Sequence, residues 1–358
     1  MRWIAFTFIS FAGIFHLCAG SIEPFGGDPI PGKIELDSGG MIFRPDQGPA
    51  VKVDFSNCYR VVFDAPTPEV CVPGVMLNDG SRLAAPYSAL TDAAVKFPKR
   101  NNLSIPSAEI AWIIYQRFPA ALVANAPAGE TGALLPGGDF FSGTVRGADA
   151  EAVKVFNEIF GPRRLDARKG EVFAAVLRPA RPLTAQYEFR TADGGLFGAD
   201  VFAAEHSGAT LRSQLYDGLK LATAEIVEIR AGLNRCRLLS AISQLHAEPA
   251  AGLRVTPEGG LITESKAVIT CPVPAGFTEF VARVAPGDDV AAGQRVVFTI
   301  YVNGAPVGRS TPQGTGDPPQ VLRIPLNAAR ALNLRVDSNA PAGTTVTGRW
   351  VQCLFVRR

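Results

Sequence analysis

Apolar and polar residues alternate most clearly in the C-terminal part of the chain. Residues Arg295–Ser310 comprise an apolar strand, an Asn-Gly turn and a second short strand, and Asn-Gly between two such strands is a strong signal for a β-hairpin. Short polar or Gly/Pro turns separate further alternating segments, a pattern typical of a jelly-roll sandwich. The strands predicted there are Leu253–Val255, Leu261–Glu264, Ala267–Cys271, Glu279–Val284, Arg295–Val302, Val307–Ser310, Val321–Pro325, Ala331–Val336 and Val346–Val356.

A second pattern repeats along the chain upstream of this domain. In each copy a strand ends in a turn with glycine, alternating strands follow, and a short element such as Ser107–Ile110 leads into an apolar strand. Glycine suits the positive φ of a tight turn, so each copy is predicted to be a small β-barrel, which resembles the SH3-like or Sm-like barrels found in tandem in exported bacterial proteins. The Gly/Pro-rich stretch Ser21–Lys33 before the first copy is predicted to be a linker. The predicted units are a signal peptide at 1–20, a shortened barrel at 33–66, barrels at 74–116, 132–180 and 186–231, and a β-sandwich at 250–358.

Glu109, Glu171 and Glu225 recur at one position of this repeat, in the turn before the closing strand. Paired carboxylates suggest general acid–base catalysis, but each of these residues belongs to a different copy. A Ser or Thr followed by Glu is typical of a helix start, so the hydroxyl of Ser107 or Thr223 is predicted to cap free backbone amides. The repeat therefore favours a structural role for these residues, in an all-β chain of tandem small barrels followed by a sandwich.

The N-terminus has the pattern of an export signal. Arg2 is followed by the apolar run Trp3–Leu17, which has no charged residue, and then by small residues at Cys18–Ser21. This order is typical of a signal peptide cut after Ala19 or Gly20, and the run is shorter than the ~20 residues that span a bilayer. We therefore expect a mature chain that is secreted, periplasmic or at the cell surface, with no membrane span.

Composition narrows the functional classes. Of 358 residues, 47% are hydrophobic and 19% are charged, which describes a globular chain too long for one ordinary β domain. The net charge is +2 with no basic block, so the electrostatic signature of nucleic-acid binding is missing. No nucleotide-binding loop, zinc motif or Gly-x-Ser-x-Gly sequence occurs. The sequence therefore implies neither a cofactor nor an enzyme.

Cysteine positions suit an oxidising compartment. Cys58 and Cys71 would close a short loop, and Cys271 and Cys353 lie on an early and on the last strand of the final domain. Such strands are commonly neighbours in a sandwich, so the disulfides Cys58–Cys71 and Cys271–Cys353 are predicted, with Cys236 left over. The odd number keeps open the alternative that several of these residues are small buried hydrophobic side chains.

The motifs of the last domain resemble those of NPCBM modules, carbohydrate-binding modules with a galactose-binding-like jelly-roll fold. Phe280–Asp289 resembles the family's strand that ends in a Gly/Asp-rich turn, Val297–Gly304 its long hairpin, and Ala331–Val336 its Leu-rich strand. Trp350 and the strand that follows it resemble the family's terminal strand. The resemblance covers residues 250–358 and implies a sandwich that binds glycan.

A sugar site needs a flat aromatic ring for the face of a pyranose and planar hydrogen-bonding groups for its hydroxyls. Tyr301 is expected to point outward, whereas Trp350 has a core alternative because it lies within a strand. The pair Asp288 and Asp289 equally fits a turn, or a structural Ca²⁺ site of the kind that such sandwiches carry. The candidate carbohydrate-binding residues are Asp288, Asp289, Tyr301, Asn303, Arg309 and Trp350.

The sequence thus predicts an exported, non-catalytic protein that binds glycan at the loop end of its sandwich, with the barrels as spacers or as contacts for envelope proteins. A structural or protein-interaction role is the first alternative. It is favoured by Gly259–Ser265, which has no histidine, and by Thr347–Arg349, which has no acidic residue, where the family carries them. The second alternative is an accessory part of a glycoside hydrolase, which two carboxylates facing each other across a cleft would support.

Overall fold

The computed structural model describes residues 18–37, 40–55, 57–63, 70–84, 94–97, 100, 103–242, 244–256 and 259–358. The apolar run of the predicted signal peptide lies outside these residues. Strands and short 3₁₀ turns make up the regular structure of the described ranges, which confirms the all-β class. No helical turn in these ranges has the length and hydropathy that crossing a membrane would require.

Short antiparallel strands fill the N-terminal part of the chain. They are β1 (Cys18–Pro24), β2 (Ile30–Asp37), β3 (Gly40–Pro45), β4 (Val51–Lys52), β5 (Cys58–Val62), β6 (Val70–Cys71), β7 (Gly74–Leu77), β8 (Arg82–Leu83), β9 (Ala94–Phe97), β10 (Leu103–Pro106), β11 (Ile110–Ile114), β12 (Phe118–Pro119), β13 (Gly132–Leu134), β14 (Phe140–Ser142), β15 (Thr144–Ala148), β16 (Ala152–Asn157), β17 (Gly161–Asp166), β18 (Ala174–Val176), β19 (Tyr187–Thr191), β20 (Leu196–Ala199), β21 (Val201–Glu205), β22 (Gly208–Arg212), β23 (Asp217–Ala222) and β24 (Ile226–Ala231). Because β1 runs to Pro24 and β2 begins at Ile30, the predicted linker is instead mostly strand.

One sheet of 14 strands organises this part of the molecule, in the order β14-β13-β18-β11-β7-β8-β20-β19-β24-β5-β1-β2-β3-β4. The smaller sheets β9-β10, β15-β16-β17 and β21-β22-β23 share a hydrophobic core with it. That core joins Val61, Ile113 and Ile229 of the long sheet to Val155 and Leu211 of the smaller ones.

Three segments of this part share one topology. In each, the first strand pairs with the last: β7 with β11, β13 with β18, and β19 with β24. Their strands also pair with those of the neighbouring segment, β11 with β18 and β8 with β20. Within the described residues every sheet runs from one edge strand to another, so the predicted small barrels are not closed units. A unit of this size buries only a thin core, and sharing strands enlarges it.

The turns before two of the closing strands are 3₁₀ turns, Ser107–Glu109 and Thr223–Glu225. The predicted hydroxyl cap is wrong for Thr223, whose Oγ1 is buried without a hydrogen-bond partner. The carboxylate of Glu225 satisfies the backbone instead, since its Oε2 accepts a hydrogen bond from the N–H of Ala222 at 2.9 Å. The recurring glutamate is therefore a turn residue in this copy.

The C-terminal domain is a sandwich of two antiparallel sheets, as predicted. Its strands are β25 (Cys236–Leu238), β26 (His246–Glu248), β27 (Leu253–Val255), β28 (Leu261–Glu264), β29 (Val268–Pro272), β30 (Glu279–Pro286), β31 (Val296–Val302), β32 (Ala305–Arg309), β33 (Gln320–Pro325), β34 (Ala331–Ser338) and β35 (Thr347–Val356). One sheet has the order β27-β28-β35-β30-β33, with β25 also paired to β35, and the other has the order β26-β29-β34-β31-β32. Both β25 and β26 precede the predicted boundary at residue 250 and are hydrogen-bonded into the sandwich.

Trp350 lies in the core between the two sheets and is 0% exposed. Its Nε1–H donates a hydrogen bond to Thr263 Oγ1 at 3.0 Å. Its ring meets the ring of Phe298 edge-on, with centroids 5.0 Å apart. Truncating a buried ring of this size typically costs about 3–5 kcal/mol. Trp350 therefore stabilises the sandwich, and its ring is not accessible to a sugar.

The N-terminal part packs against part of the outer face of the sheet that contains β30, β33 and β35, which we name the covered sheet. Phe25, which follows β1, is 1% exposed and packs in one cluster with Val281 and Leu354 of that sheet. The opposite sheet, β26-β29-β34-β31-β32, is named the open sheet because its outward side chains, apart from that of Thr299, stay half-buried or exposed. The sandwich thus has two unlike outer faces.

Polar contacts fix the same interface. The side-chain oxygen of Gln352 accepts a hydrogen bond from the N–H of Gly26 at 2.8 Å, and its Nε2 donates to Glu23 Oε1 at 2.7 Å. Gly26 has a φ of 72°, and a Cβ at this position would lie 2.5 Å from Val281 Cγ1. Only glycine fits this position without strain or displacement.

Cys58, Cys236, Cys271 and Cys353 are buried free thiols and Cys71 is buried as well, so neither predicted disulfide is formed in this structure. Cys58 and Cys71 lie in different core clusters. Cys271 and Cys353 extend from opposite sheets into the core of the sandwich, and Cys236 packs at the interface below the covered sheet. The alternative of small buried hydrophobic side chains describes all five positions.

Candidate functional site

Cross-strand pairing places a row of mostly polar side chains, ending in a proline on the edge strand, across the outer face of the open sheet. The row runs His246, Thr270, Asn333, Tyr301 and Pro306, each paired with the next on the neighbouring strand. Paired residues of adjacent strands project to the same side of a sheet. Asn333 Nδ2 donates to Thr270 Oγ1 at 2.7 Å, which orients the amide next to the tyrosine.

A second row lies parallel to the first. It contains Glu248, Val268, Arg335, Thr299 and Arg309, again in pairing order across five strands. Arg309 is exposed on the edge strand β32. The Nε of Arg335 is buried and has no hydrogen-bond partner. Two guanidinium groups therefore lie one row away from the tyrosine ring.

Tyr301 points away from the core, as its alternation with buried neighbours predicts. Phe298 and Ile300 are each 0% exposed, whereas Tyr301 is half-buried on the open face. A half-exposed ring beside planar amide and guanidinium groups provides a flat apolar surface with hydrogen-bonding groups around it.

Asn303 lies in the tight turn between β31 and β32, close to Tyr301 in the chain. Its φ is 50°, and its Oδ1 accepts hydrogen bonds from the N–H groups of Arg330 and Ala331 at 2.9 and 3.1 Å. The acceptor side of this amide is therefore committed to the fold.

Asp288 and Asp289 lie at the opposite end of the sandwich from Asn303, because β31 runs the length of the sheet between them. Asp289 Oδ1 accepts hydrogen bonds from the N–H and Oγ1 of Thr347 at 3.0 and 2.6 Å. Asp288 forms an exposed ion pair with Arg349 at 3.0 Å. These contacts fit the turn interpretation, and the described residues contain no group of three His, Cys, Asp or Glu side chains suited to a metal ion.

The six candidate residues are therefore not one site. Tyr301 and Arg309 lie together on the open sheet with Asn303 at its end, the two aspartates lie at the other end, and Trp350 is in the core. Sequence reasoning missed Thr270, Asn333 and Arg335. Alternation within β29 and β34 could have shown that these side chains point outward. The strand register that brings them beside Tyr301 could not be read from the sequence.

The hydrolase alternative requires two carboxylates that face each other across a cleft. A cleft of about 820 Å³ is lined by Asp79 and Glu109 among others. Both carboxylates belong to one wall, since Asn78, the neighbour of Asp79, donates its Nδ2–H to Glu109 Oε2 at 3.1 Å. Burial raises the pKa of Asp79, while its Oδ1 accepts a hydrogen bond from the N–H of Ser81 at 2.8 Å. The pair lies side by side in two turns and does not face across the cleft.

Comparison with protein families identifies the family that the C-terminal domain resembles. Residues 246–356 match the model of the NPCBM/NEW2 domain, which confirms the resemblance to this family of carbohydrate-binding modules for the sandwich. No curated protein matches the chain.

Several solved structures are similar to parts of the chain. CBM51 from Clostridium perfringens GH95 in complex with methyl-galactose is 14% identical, with 33% of this chain and 99% of that one covered, at a TM-score of 0.27. The tandem CBM51 modules of Sp3GH98, a family 98 glycoside hydrolase from Streptococcus pneumoniae SP3-BS71, are 11% identical, with 48% and 71% covered, at 0.28. CBM51-2 and INT domains from Clostridium perfringens ZmpB are 13% identical, with 57% and 43% covered, at 0.27. The chain thus spans less than half of that last structure, and at such low scores the matches do not bear on what this chain binds.

Proposed function

We propose that this chain is an exported, non-catalytic protein that binds glycan on the outer face of the open sheet of its C-terminal sandwich. The observation that carries the proposal is the row containing Thr270, Asn333 and Tyr301, which lies in the domain that matches a carbohydrate-binding family. This site lies on the sheet face, whereas the sequence predicted a site at the loop end of the sandwich.

The chemistry of this face suits a sugar. The apolar C–H face of a pyranose packs on the ring of Tyr301, and its hydroxyls exchange hydrogen bonds with the amide of Asn333 and the guanidinium of Arg309. The face is flat and open, so little of a bound sugar is enclosed. Affinity is accordingly expected to be modest, with a Kd of about 0.1–1 mM, equivalent to roughly −4 to −5.5 kcal/mol.

The N-terminal part supports this role by fixing the sandwich from behind. Contacts of Phe25 and Gln352 bury Val281 and Leu354 of the covered sheet, which leaves the open sheet as the more exposed face. In this proposal the repeated strands act as a spacer, or as a contact for other envelope proteins. The signal-peptide pattern of residues 1–20 supports the proposed export.

Glycan-array screening followed by titration calorimetry on the full chain tests the proposal. The full chain is used because an isolated sandwich would expose Val281 and Leu354 of the covered sheet. Tyr301→Ala is expected to weaken binding at least about tenfold, the equivalent of roughly 1.4 kcal/mol, while Asp288→Asn at the loop end leaves it unchanged. Asp288 is exposed, so Asp288→Asn should unfold at the same denaturant concentration as the wild type, whereas Tyr301 is half-buried and Tyr301→Ala should stay folded but unfold at a somewhat lower concentration.

Two results would overturn the proposal. The first is a folded chain that binds no glycan on the array, which would favour the structural or protein-interaction role. The second is loss of binding in Asp288→Asn with full binding in Tyr301→Ala, which would return the site to the loop end.

A further inference from the structure

Two large apolar side chains stand out from the surface at the tip of the β16–β17 hairpin. Ile159 is 84% exposed and Phe160 is 60% exposed, more than the other exposed large hydrophobic residues in the described part of the chain. Gly161 follows them with a φ of 71°, and no atom lies within 4 Å of the position that a Cβ there would take. Adjacent apolar residues that project into open space indicate a binding surface.

The tip is held in one conformation by its own side chains. Asn157 Oδ1 accepts hydrogen bonds from the N–H groups of Ile159 and Phe160 at 2.9 and 3.0 Å. Asn157 Nδ2 donates to the carbonyl of Ser142 at 2.7 Å, and the ring of Phe160 lies 6.1 Å from that of Phe141 between centroids. Because the tip is already ordered, it loses little conformational entropy on binding.

Cations lie behind the tip on the same small sheet. Lys154 and Arg164 are direct cross-strand partners, an arrangement of like charges that destabilises a sheet. Arg163 is exposed on β17 and Arg146 on β15. Asp166 partly balances Arg164 at 3.4 Å. An anionic surface placed against this sheet would reduce the repulsion between the cations, so the sheet is suited to bind one.

We propose that this hairpin docks the protein on an anionic lipid surface. Ile159 and Phe160 enter the boundary between headgroups and acyl chains, and the cations behind them contact the lipid phosphates, the two contributions that bind peripheral elements to membranes. Glu158 lies in the same turn and keeps the insertion shallow. The hairpin belongs to the N-terminal part, so this role is independent of glycan binding by the sandwich.

Co-sedimentation of the full chain with vesicles tests the proposal. We expect binding to vesicles of phosphatidylcholine with phosphatidylglycerol, weak binding to pure phosphatidylcholine, and loss of binding as salt rises. Ile159→Ser with Phe160→Ser should lower the partition coefficient about tenfold or more. Lys154→Gln with Arg164→Gln should lower it about fivefold per cation removed.

Val201→Ser is the matched control, since Val201 is 59% exposed on β21 and away from the hairpin; its partition coefficient should equal that of the wild type. Phe160→Trp should show a blue shift of its fluorescence when anionic vesicles are added. The proposal would be overturned if the Ile159/Phe160 double variant bound vesicles as well as the wild type does. It would also be overturned if the wild type bound neutral and anionic vesicles equally. The wild type could instead self-associate without binding vesicles, and the double variant could abolish that self-association. This result would show that the tip binds a second copy of the chain.

Discussion

Burial decides the chemistry of the cysteine side chains. It raises the pKa of Cys58 and of Cys271 to about 12, and it also raises the pKa values of Cys236 and Cys353. The thiolate is the reactive form of cysteine. These thiols therefore stay protonated in the folded protein at neutral pH and behave as small apolar residues.

The raised thiol pKa values predict that stability falls in alkaline solution. Below pH ~8.5 the thiols are protonated in both states, so they contribute no pH dependence. Above it the unfolded chain loses thiol protons while the folded protein keeps them, which favours unfolding by up to about 1.4 kcal/mol per pH unit for each thiol until the folded pKa is reached. Urea unfolding at two pH values, near neutral and mildly alkaline, measures the drop, and Cys271→Ala should reduce it.

The same samples distinguish thiols from a disulfide. After unfolding without reductant, Cys271 and Cys353 should both react with iodoacetamide, as free thiols do. Resistance of both residues to alkylation would show that a disulfide joins them, as the sequence predicted. These two residues would then contribute nothing to the loss of stability at alkaline pH.

The β31–β32 hairpin shows how far local sequence determines an element. Asn-Gly at the turn and alternation along Val297–Gly304 predicted both strands and the outward direction of Tyr301. The neighbours of Tyr301 were not predictable in this way, because Asn333 and Thr270 reach it through the register of strands that are distant in sequence. For the same reason, the sequence did not show that the length of β31 separates Asp288 from this hairpin.

Asn303 is expected to act on this hairpin rather than on a ligand. Asn303→Ala removes the acceptor for two backbone N–H groups and puts alanine at a positive φ, so the free energy of unfolding should fall by about 1–3 kcal/mol. Asn303→Asp keeps the acceptor and should stay within about 0.5 kcal/mol of the wild type. Chemical denaturation measures both variants. If Asn303→Asp keeps its stability but loses glycan affinity in calorimetry, the amide Nδ2 contacts sugar, as the sequence predicted.

At the scale of the whole molecule, the segment after β1 joins the two parts of the chain. Its Gly/Pro content predicted a linker, but Gly26 is needed for close contact with Val281, and Phe25 fills the face of the covered sheet. Glycine permits both a flexible linker and a close approach of backbone to side chain. The composition of the segment therefore did not distinguish a flexible linker from a close contact. The contact is evident only in the structure, where the segment lies against the covered sheet.

This interface should couple the unfolding of the sandwich to that of the N-terminal part. Gln352→Leu leaves the N–H of Gly26 and the Oε1 of Glu23 without their buried partner, at a cost of about 1–3 kcal/mol for each unsatisfied group. Scanning calorimetry should then resolve two transitions where the wild type gives one. Gln294→Leu is the control, because the Gln294 side chain accepts a hydrogen bond only from an exposed loop N–H, that of Ala291 at 3.0 Å. This control variant should change stability by less than about 0.5 kcal/mol.

A single unshifted transition in Gln352→Leu would mean that the apolar contacts of Phe25 alone hold the sandwich in place. Two transitions already present in the wild type would instead mean that the parts fold independently, and the orientation of the open sheet would then not be fixed by this interface.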